Sequence, residues 1–227
     1  MEFLHAIIVL SNFVIIPAIA YGSQLALGAL GVTLVYGILR FSNFAHGDTM
    51  AFGTMVAILF TWWFQSIGLS IAPLPTALLA LPIAITVTAV FLLGTDRLVL
   101  RFYRKQKSAP VILLIVSLGI MFVYNGLVRF IIGVGDQRFS DGARFIISAR
   151  DFKKLTGLDE GLAIKTTQVI TVITAVLVVV LLFWFLNRTR TGKSMRAFSD
   201  NEDLALLSGI NPERVVLYTW LIVAALA

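Results

Sequence analysis

The sequence alternates between long apolar stretches and short polar or basic ones. Seven stretches are apolar enough to lie in a membrane: residues 5–21, 24–39, 49–69, 76–94, 110–132, 166–186 and 215–227. A helix needs about 20 apolar residues to cross a hydrocarbon layer about 30 Å thick, whereas membrane strands alternate in polarity over roughly 10 residues. The continuous runs therefore predict an all-α fold, a polytopic transmembrane helical bundle.

The composition supports a membrane protein. Hydrophobic residues make up 59% of the chain and charged residues only 13%, against about 25% charged residues in an average soluble domain. The chain contains no cysteine, which excludes disulfides, thiolate nucleophiles and sulfur-ligated metals. The net charge of +6 does not indicate nucleic acid binding, because the basic residues lie mainly between apolar stretches and more simply report topology.

Two of the stretches are short for a full crossing. Residues 24–39 contain Gly28, Gly31 and Gly37 and predict a tilted, broken or closely packed helix. Residues 215–227 are too few to span a bilayer. We therefore expect a single membrane domain over residues 1–227 that is incomplete at its C-terminal end.

The distribution of basic residues predicts the orientation. Five of them share the loop between the fourth and fifth stretches: Arg97, Arg101, Arg104, Lys105 and Lys107. Cytoplasmic loops are enriched in lysine and arginine, so this loop is placed in the cytoplasm. Two further crossings put residues 188–214 on the same side and make 133–165 an external loop. Counting backward, the segment that follows residue 39 also faces the cytoplasm.

A polar cluster follows the glycine-containing stretch. Its candidate functional residues are Asn43, Phe44, His46 and Asp48. Polar groups at membrane depth usually face a cavity, so these residues could line a path through the membrane or its cytoplasmic gate. Alternatively, the cluster lies at the interface and Asp48 caps the following helix through its backbone N–H groups. His46 and Asp48 do not make a metal site, because His5 is the only other histidine.

A short helix is predicted within the cytoplasmic segment 188–214. Ser199 and Glu202 match the S-x-x-E capping box, and Gly209 can supply the left-handed residue that ends a helix. The core of this helix consists of Leu204, Ala205, Leu206 and Leu207. So short a helix cannot bury its own leucines, so they must pack either on a separate protein or on this chain's own membrane helices.

Enzyme activity is not indicated by any residue pattern in the sequence. The spans carry no nucleophile and base, paired carboxylates or metal set at helical spacing. The chain also lacks the G-x-x-x-x-G-K-[ST] motif and so cannot hydrolyse ATP by a P-loop. A secondary transporter or channel would suit the glycine-containing segment, but a channel has no need of a cytoplasmic docking helix.

Two motifs resemble those of a known family. Gly31, Thr33, Leu34, Val35, Gly37, Asn43, Phe44, Ala45, His46, Gly47 and Asp48 look like its early G-x-T-L-V-x-G…N-F-A-H-G-[DE] segment. Residues 189–211 look like its cytoplasmic R-x-G-x-x-x-R-A…A-x-L-x-G-I-[ND] segment. The family is the LivH-like group, the inner-membrane permease subunits of branched-chain amino acid ABC transporters.

The resemblance implies a pore-forming, non-catalytic subunit in the bacterial inner membrane. Its partners would be a second homologous permease, two cytoplasmic ATPase subunits and a periplasmic amino-acid-binding protein. ATP would be used by the ATPases, and this chain would bind no cofactor. The residues expected to couple it to the ATPase are Arg196, Ser199, Glu202, Leu204, Ala205, Leu206, Leu207 and Gly209. Permeases for urea or short amides share both motifs and are the alternative.

Overall fold

The protein is described here by a computed structural model that covers residues 2–71, 74–135, 137, 145–156 and 161–227. Its helices are α1 Glu2–Leu10, α2 Ile16–Leu39, α3 His46–Ser66, α4 Ala77–Thr95, α5 Arg101–Lys105, α6 Pro110–Ile132, α7 Ala149–Thr156, α8 Thr166–Arg188, α9 Arg190–Asp200, α10 Glu202–Leu207 and α11 Pro212–Leu226. Two short strands, β1 (Phe145–Ile147) and β2 (Ile164–Lys165), pair antiparallel. The all-α prediction is confirmed. Residues 136, 138–144 and 157–160 of the predicted external loop 133–165 lie outside the described residues.

The first two predicted spans form one continuous helix. A π-helical turn at Ser11–Ile15 joins α1 to α2, and the apolar helix His5–Leu39 has 35 residues. At 1.5 Å per residue it is about 52 Å long. The predicted break between residues 21 and 24 is therefore wrong. A glycine inside a helix costs only about 1 kcal/mol relative to alanine, which the helix Glu2–Leu39 tolerates.

A second continuous helix is built in the same way. The π-helical turn Asp96–Leu100 joins α4 to α5, so that Ala77–Lys105 is a single helix of 29 residues. Among the described residues, four helices are long and apolar enough to cross a membrane: His5–Leu39, Ala77–Lys105, Pro110–Ile132 and Thr166–Arg188. The bounds predicted for α6 agree with the structure, whereas α3 begins three residues before the predicted start. Helix α11 begins at Pro212 with Asn211 as its cap, as the Asn-Pro pair before the last apolar stretch predicts.

The helices α2, α4, α6, α8 and α11 share one hydrophobic core. Helix α3 packs along α4, where the rings of Phe52 and Phe91 stack with centroids 4.1 Å apart. A Cβ atom on Gly53 would lie 3.2 Å from Thr88 Oγ1 and 3.4 Å from the carbonyl oxygen of Ala227. The small residue at position 53 therefore allows α3 to approach both α4 and the end of α11.

The segments predicted to be cytoplasmic all lie at one end of the bundle. The Arg40 side chain contacts the end of α9, and Arg101 on α5 forms a 3.2 Å ion pair with Glu213 at the start of α11. These contacts bring together the loop after α2, the basic end of the helix Ala77–Lys105 and the segment 188–214. Most of the predicted basic loop is thus helical. Helix α9 was not predicted, because its polar composition is typical of a solvated connection.

Candidate functional site

The polar loop between α2 and α3 enters the helix bundle. Its Asn43 side chain accepts a 3.2 Å hydrogen bond from the Ala45 N–H, and the Phe44 N–H donates to Ser117 Oγ at 3.1 Å. Ser117 is the eighth residue of α6, about 10 Å along that helix at 1.5 Å per residue. The chain thus turns back alongside α6 before α3 begins.

Asp48 lies deeper along α6. Asn125 Nδ2 donates a 2.9 Å hydrogen bond to Asp48 Oδ1, and Asn125 is the sixteenth of the 23 residues of α6. The N-terminal end of α3 has no side-chain cap hydrogen bond. The interpretation of Asp48 as a helix cap is therefore wrong, since its carboxylate bonds to a neighbouring helix. The role of the cluster as a lining of the transport path stays a prediction.

His46 and Phe44 have opposite environments. The His46 side chain is buried at 2% exposure, whereas Phe44 is 51% exposed. A Cβ atom on Gly31 of α2 would overlap the His46 ring, so α2 and α3 pack closely at this point only because residue 31 is glycine. Within the part of the chain that the structure describes, no group of three or more His, Cys, Asp or Glu side chains could hold a metal.

Asp96 is the centre of a buried polar cluster that sequence reasoning missed. Arg104 contacts both carboxylate oxygens, at 2.7 and 3.1 Å, and Trp220 Nε1 donates to Oδ1 at 2.8 Å. Asp96 was visible in the sequence as the single acid in a basic loop. Nothing in the sequence pattern relates it to Trp220 on α11.

The short helix predicted within residues 188–214 is present as α10, but its cap differs from the prediction. Ser199 belongs to α9, and its hydroxyl donates to the Gly37 carbonyl at 2.6 Å. Asn201 caps α10 instead, because its side chain accepts from the Leu204 N–H at 3.0 Å. The Ser199 and Glu202 capping box is therefore wrong. The predicted helix end is confirmed, since Gly209 has a φ of +80°.

The leucines of α10 are exposed, whereas its alanine is buried. Leu204, Leu206 and Leu207 are 60%, 44% and 86% exposed, against 3% for Ala205. Ala205 therefore anchors α10 on the bundle and leaves the leucines outside it. Complete burial on this chain's own helices was one of the two interpretations of these leucines, and it does not occur. Arg196 lies on α9, where its guanidinium donates to Asn187 Oδ1 at 2.9 Å, and its role in coupling to the ATPase stays a prediction.

The long apolar helices define the class of polytopic membrane proteins, and the leucines of α10 are exposed at one end of this bundle. The chain belongs to the family described as the branched-chain amino acid transport system permease component, which it matches over residues 14–227. It is thus a multi-pass membrane protein of a transport family.

Individual relatives cover nearly the whole chain. It is 29% identical to the high-affinity branched-chain amino acid transport system permease protein BraD of Pseudomonas aeruginosa, over 94% of this chain and 67% of that protein. It is 28% identical to the permease protein LivH of Salmonella typhimurium, over 92% of this chain and 65% of that protein. It is 29% identical to the probable branched-chain amino acid transport permease protein LivH of Methanocaldococcus jannaschii, over 92% of this chain and 62% of that protein.

The chain spans about two thirds of the length of these relatives. No solved structure matches it.

Proposed function

We propose that this chain is a permease subunit of an ABC importer and forms part of the path that carries branched-chain amino acids across the membrane. Family membership over residues 14–227 supports the proposal. The relatives named above are all called branched-chain amino acid permeases. Their names favour this substrate class over urea or short amides.

The proposed setting is the bacterial inner membrane. There the chain pairs with a second homologous permease, contacts two cytoplasmic ATPase subunits and receives substrate from a periplasmic amino-acid-binding protein. The chain is a non-catalytic subunit that binds no cofactor, and its partners use ATP. The lack of a P-loop motif in the sequence supports this division of labour.

One observation carries the docking part of the proposal. Three leucines of α10 are exposed at the same end of the bundle as the basic residues of α5, while Ala205 is buried. Burial of one leucine side chain is worth about 1.5–3 kcal/mol, so a groove that accepted all three would bind α10 strongly. We assign that groove to the ATPase, and Glu202 and Gly209 delimit the helix that enters it.

The proposed transport path runs past the loop between α2 and α3. The depth of Asp48 along α6 supports this, because a carboxylate at that position avoids lipid only inside a bundle or a cavity. Phe44 is the exposed apolar member of the cluster. Asn43 and His46 are buried, and the Asn43 side chain accepts a hydrogen bond from the Ala45 N–H.

The docking test replaces two leucines by aspartate. We expect Leu206→Asp and Leu207→Asp to leave membrane insertion unchanged but to abolish both ATPase co-purification and uptake of radiolabelled leucine, because a charge would enter an apolar groove. Leu69→Asp is the matched control, since Leu69 is also exposed but follows α3 at the other end of the bundle. Normal leucine uptake by both α10 variants would refute the docking assignment.

A further inference from the structure

Three hydrogen bonds tie the end of α2 to the junction between α9 and α10. Arg40 Nη2 donates to the carbonyl oxygens of Ser199 and Asp200, at 2.8 and 3.3 Å. Ser199 Oγ donates to the Gly37 carbonyl at 2.6 Å. The bonded residues are 159 to 162 positions apart in the sequence. We refer to these three hydrogen bonds as the Arg40–Ser199 clasp.

The clasp supplies hydrogen-bond donors to carbonyl groups at the C-terminal ends of two helices, α9 and α2. The last carbonyl groups of a helix have no partner within it and carry the negative end of its dipole. Ser199 and Asp200 are the last residues of α9, so the Arg40 guanidinium meets carbonyl groups that need a donor and favour a cation. Gly37 lies in the last turn of α2, and the Ser199 hydroxyl supplies its donor.

Arg40 also sets the course of the chain into the polar loop. Its φ of 56° and ψ of 30° are left-handed, a conformation that residues with a Cβ atom rarely adopt. Three residues later the chain reaches Asn43. On the other side of the clasp, Asp200 directly precedes Asn201, the cap of α10. The clasp therefore lies between the leucine helix and the polar cluster.

We propose that the Arg40–Ser199 clasp transmits movement of α10 to the loop that carries Asn43 and Phe44 and to the first turn of α3, which carries His46 and Asp48. Arg40 and Ser199 are positioning residues in this scheme, because they touch neither substrate nor nucleotide. Coupling between two sites requires an element whose arrangement both of them bias. The scheme rests on the proposed docking of α10 to the ATPase.

Two variants open the clasp with little other change. Arg40→Asn removes the guanidinium but keeps a residue that tolerates the left-handed conformation, and Ser199→Ala removes the hydroxyl donor. Lys107→Asn is the control for the first, because Lys107 is the other described non-glycine residue with a positive φ, at 50°, and is also a cation. Ser194→Ala is the control for the second, since within the described ranges that hydroxyl bonds only the Arg190 carbonyl of its own helix.

The first measurement needs no partner protein. The chain has no cysteine, so a nitroxide on Phe44→Cys reports on the polar loop alone. Ala205→Trp displaces α10, because Ala205 is fully packed and a larger side chain does not fit. We expect this substitution to change the nitroxide spectrum when the clasp is intact, and to leave it unchanged in the Arg40→Asn, Ser199→Ala double variant. A change that persists in the double variant would overturn the proposal.

The second measurement uses the complex with its ATPase. In Arg40→Asn we expect ATPase co-purification to be retained, while leucine uptake per ATP hydrolysed falls at least about fivefold, the lower end of ordinary site-to-site coupling. Arg40→Lys, which can still donate to a carbonyl, should recover part of the ratio. If Arg40→Asn kept the wild-type ratio of leucine uptake to ATP hydrolysed, transmission through the clasp would be refuted, but the docking of α10 would not. Normal uptake in Leu206→Asp would instead refute the docking on which it rests.

Discussion

The indole nitrogen of Trp220 donates a 2.8 Å hydrogen bond to a carboxylate oxygen of Asp96, 124 positions earlier in the chain. The Arg104 guanidinium donates hydrogen bonds to both oxygens of the same carboxylate. A buried charge is tolerated when it is paired and hydrogen-bonded. These hydrogen bonds therefore hold α11 against the turn between α4 and α5. Helix α10 lies in the segment that directly precedes α11.

Replacing Trp220 by phenylalanine should destabilise the protein. Trp220→Phe keeps an aromatic ring but removes a hydrogen bond to a charged acceptor, and such bonds contribute about 1.5–3 kcal/mol. We expect a fall of that size in the free energy of unfolding, measured by denaturant titration in detergent. Trp184→Phe is the control, since Trp184 is 59% exposed on α8 and should change little. Equal effects of both substitutions would contradict the prediction.

Gly31 and Gly22 should respond oppositely to alanine. A Cβ atom at position 31 would overlap the His46 ring, whereas one at position 22 meets nothing within 4 Å. Gly31→Ala should therefore cost about 1–3 kcal/mol through overpacking. Gly22→Ala should instead stabilise the helix by about 0.5–1 kcal/mol. Thermal unfolding of the two variants separates these outcomes, and a Gly31→Ala variant as stable as Gly22→Ala would show that the contact is absent.

The contact between Asp48 and Asn125 should appear as a coupling energy. In a double-mutant cycle with Asp48→Ala and Asn125→Ala, we expect an interaction energy of about 0.5–3 kcal/mol, as found for residues in contact. The free energy of unfolding is the measured quantity. Asp48→Ala combined with Ser23→Ala should be additive, because the one bond of the Ser23 hydroxyl among the residues that the structure describes goes to the Ile19 carbonyl of its own helix. Additivity in the first cycle would disprove the contact.

The cap of α10 should control the order of that helix. Asn201→Ala removes the acceptor for the Leu204 N–H, and loss of such a cap costs about 0.5–2 kcal/mol. In a helix of six residues this should speed hydrogen exchange over Leu204–Leu207. Asn201→Asp, which keeps the acceptor, should preserve the protection. Unchanged exchange in Asn201→Ala would mean that Ala205 alone orders the helix.

Some features follow from short stretches of sequence because their causes are local. The bounds Pro110–Ile132 of α6 reflect a continuous apolar run that begins with proline. Gly209 ends α10, and Asn211 caps α11 by accepting from the N–H groups of Glu213 and Arg214. In each case the residue acts on backbone groups within about four positions of itself.

Predictions from the sequence were wrong where a residue is compatible with two different local structures. Ser199 is compatible with a helix cap and with a helix interior, and its contact with Gly37 selects the second. Glycines in α2 are compatible with a break and with close packing, and the His46 ring fills the space at Gly31. Asp48 can cap a helix or bond a neighbour, and Asn125 lies within its reach.

Membrane insertion, helical class and the approximate spans are thus encoded in runs of neighbouring residues, because hydrocarbon requires each span to satisfy its own backbone. The pairs Arg40 with Ser199, Asp48 with Asn125 and Asp96 with Trp220 are not encoded in that way. Their members are distant in sequence and follow no common period, so only the packing of the helices brings them together. The first of these pairs places α10 and the polar loop on either side of the Arg40–Ser199 clasp.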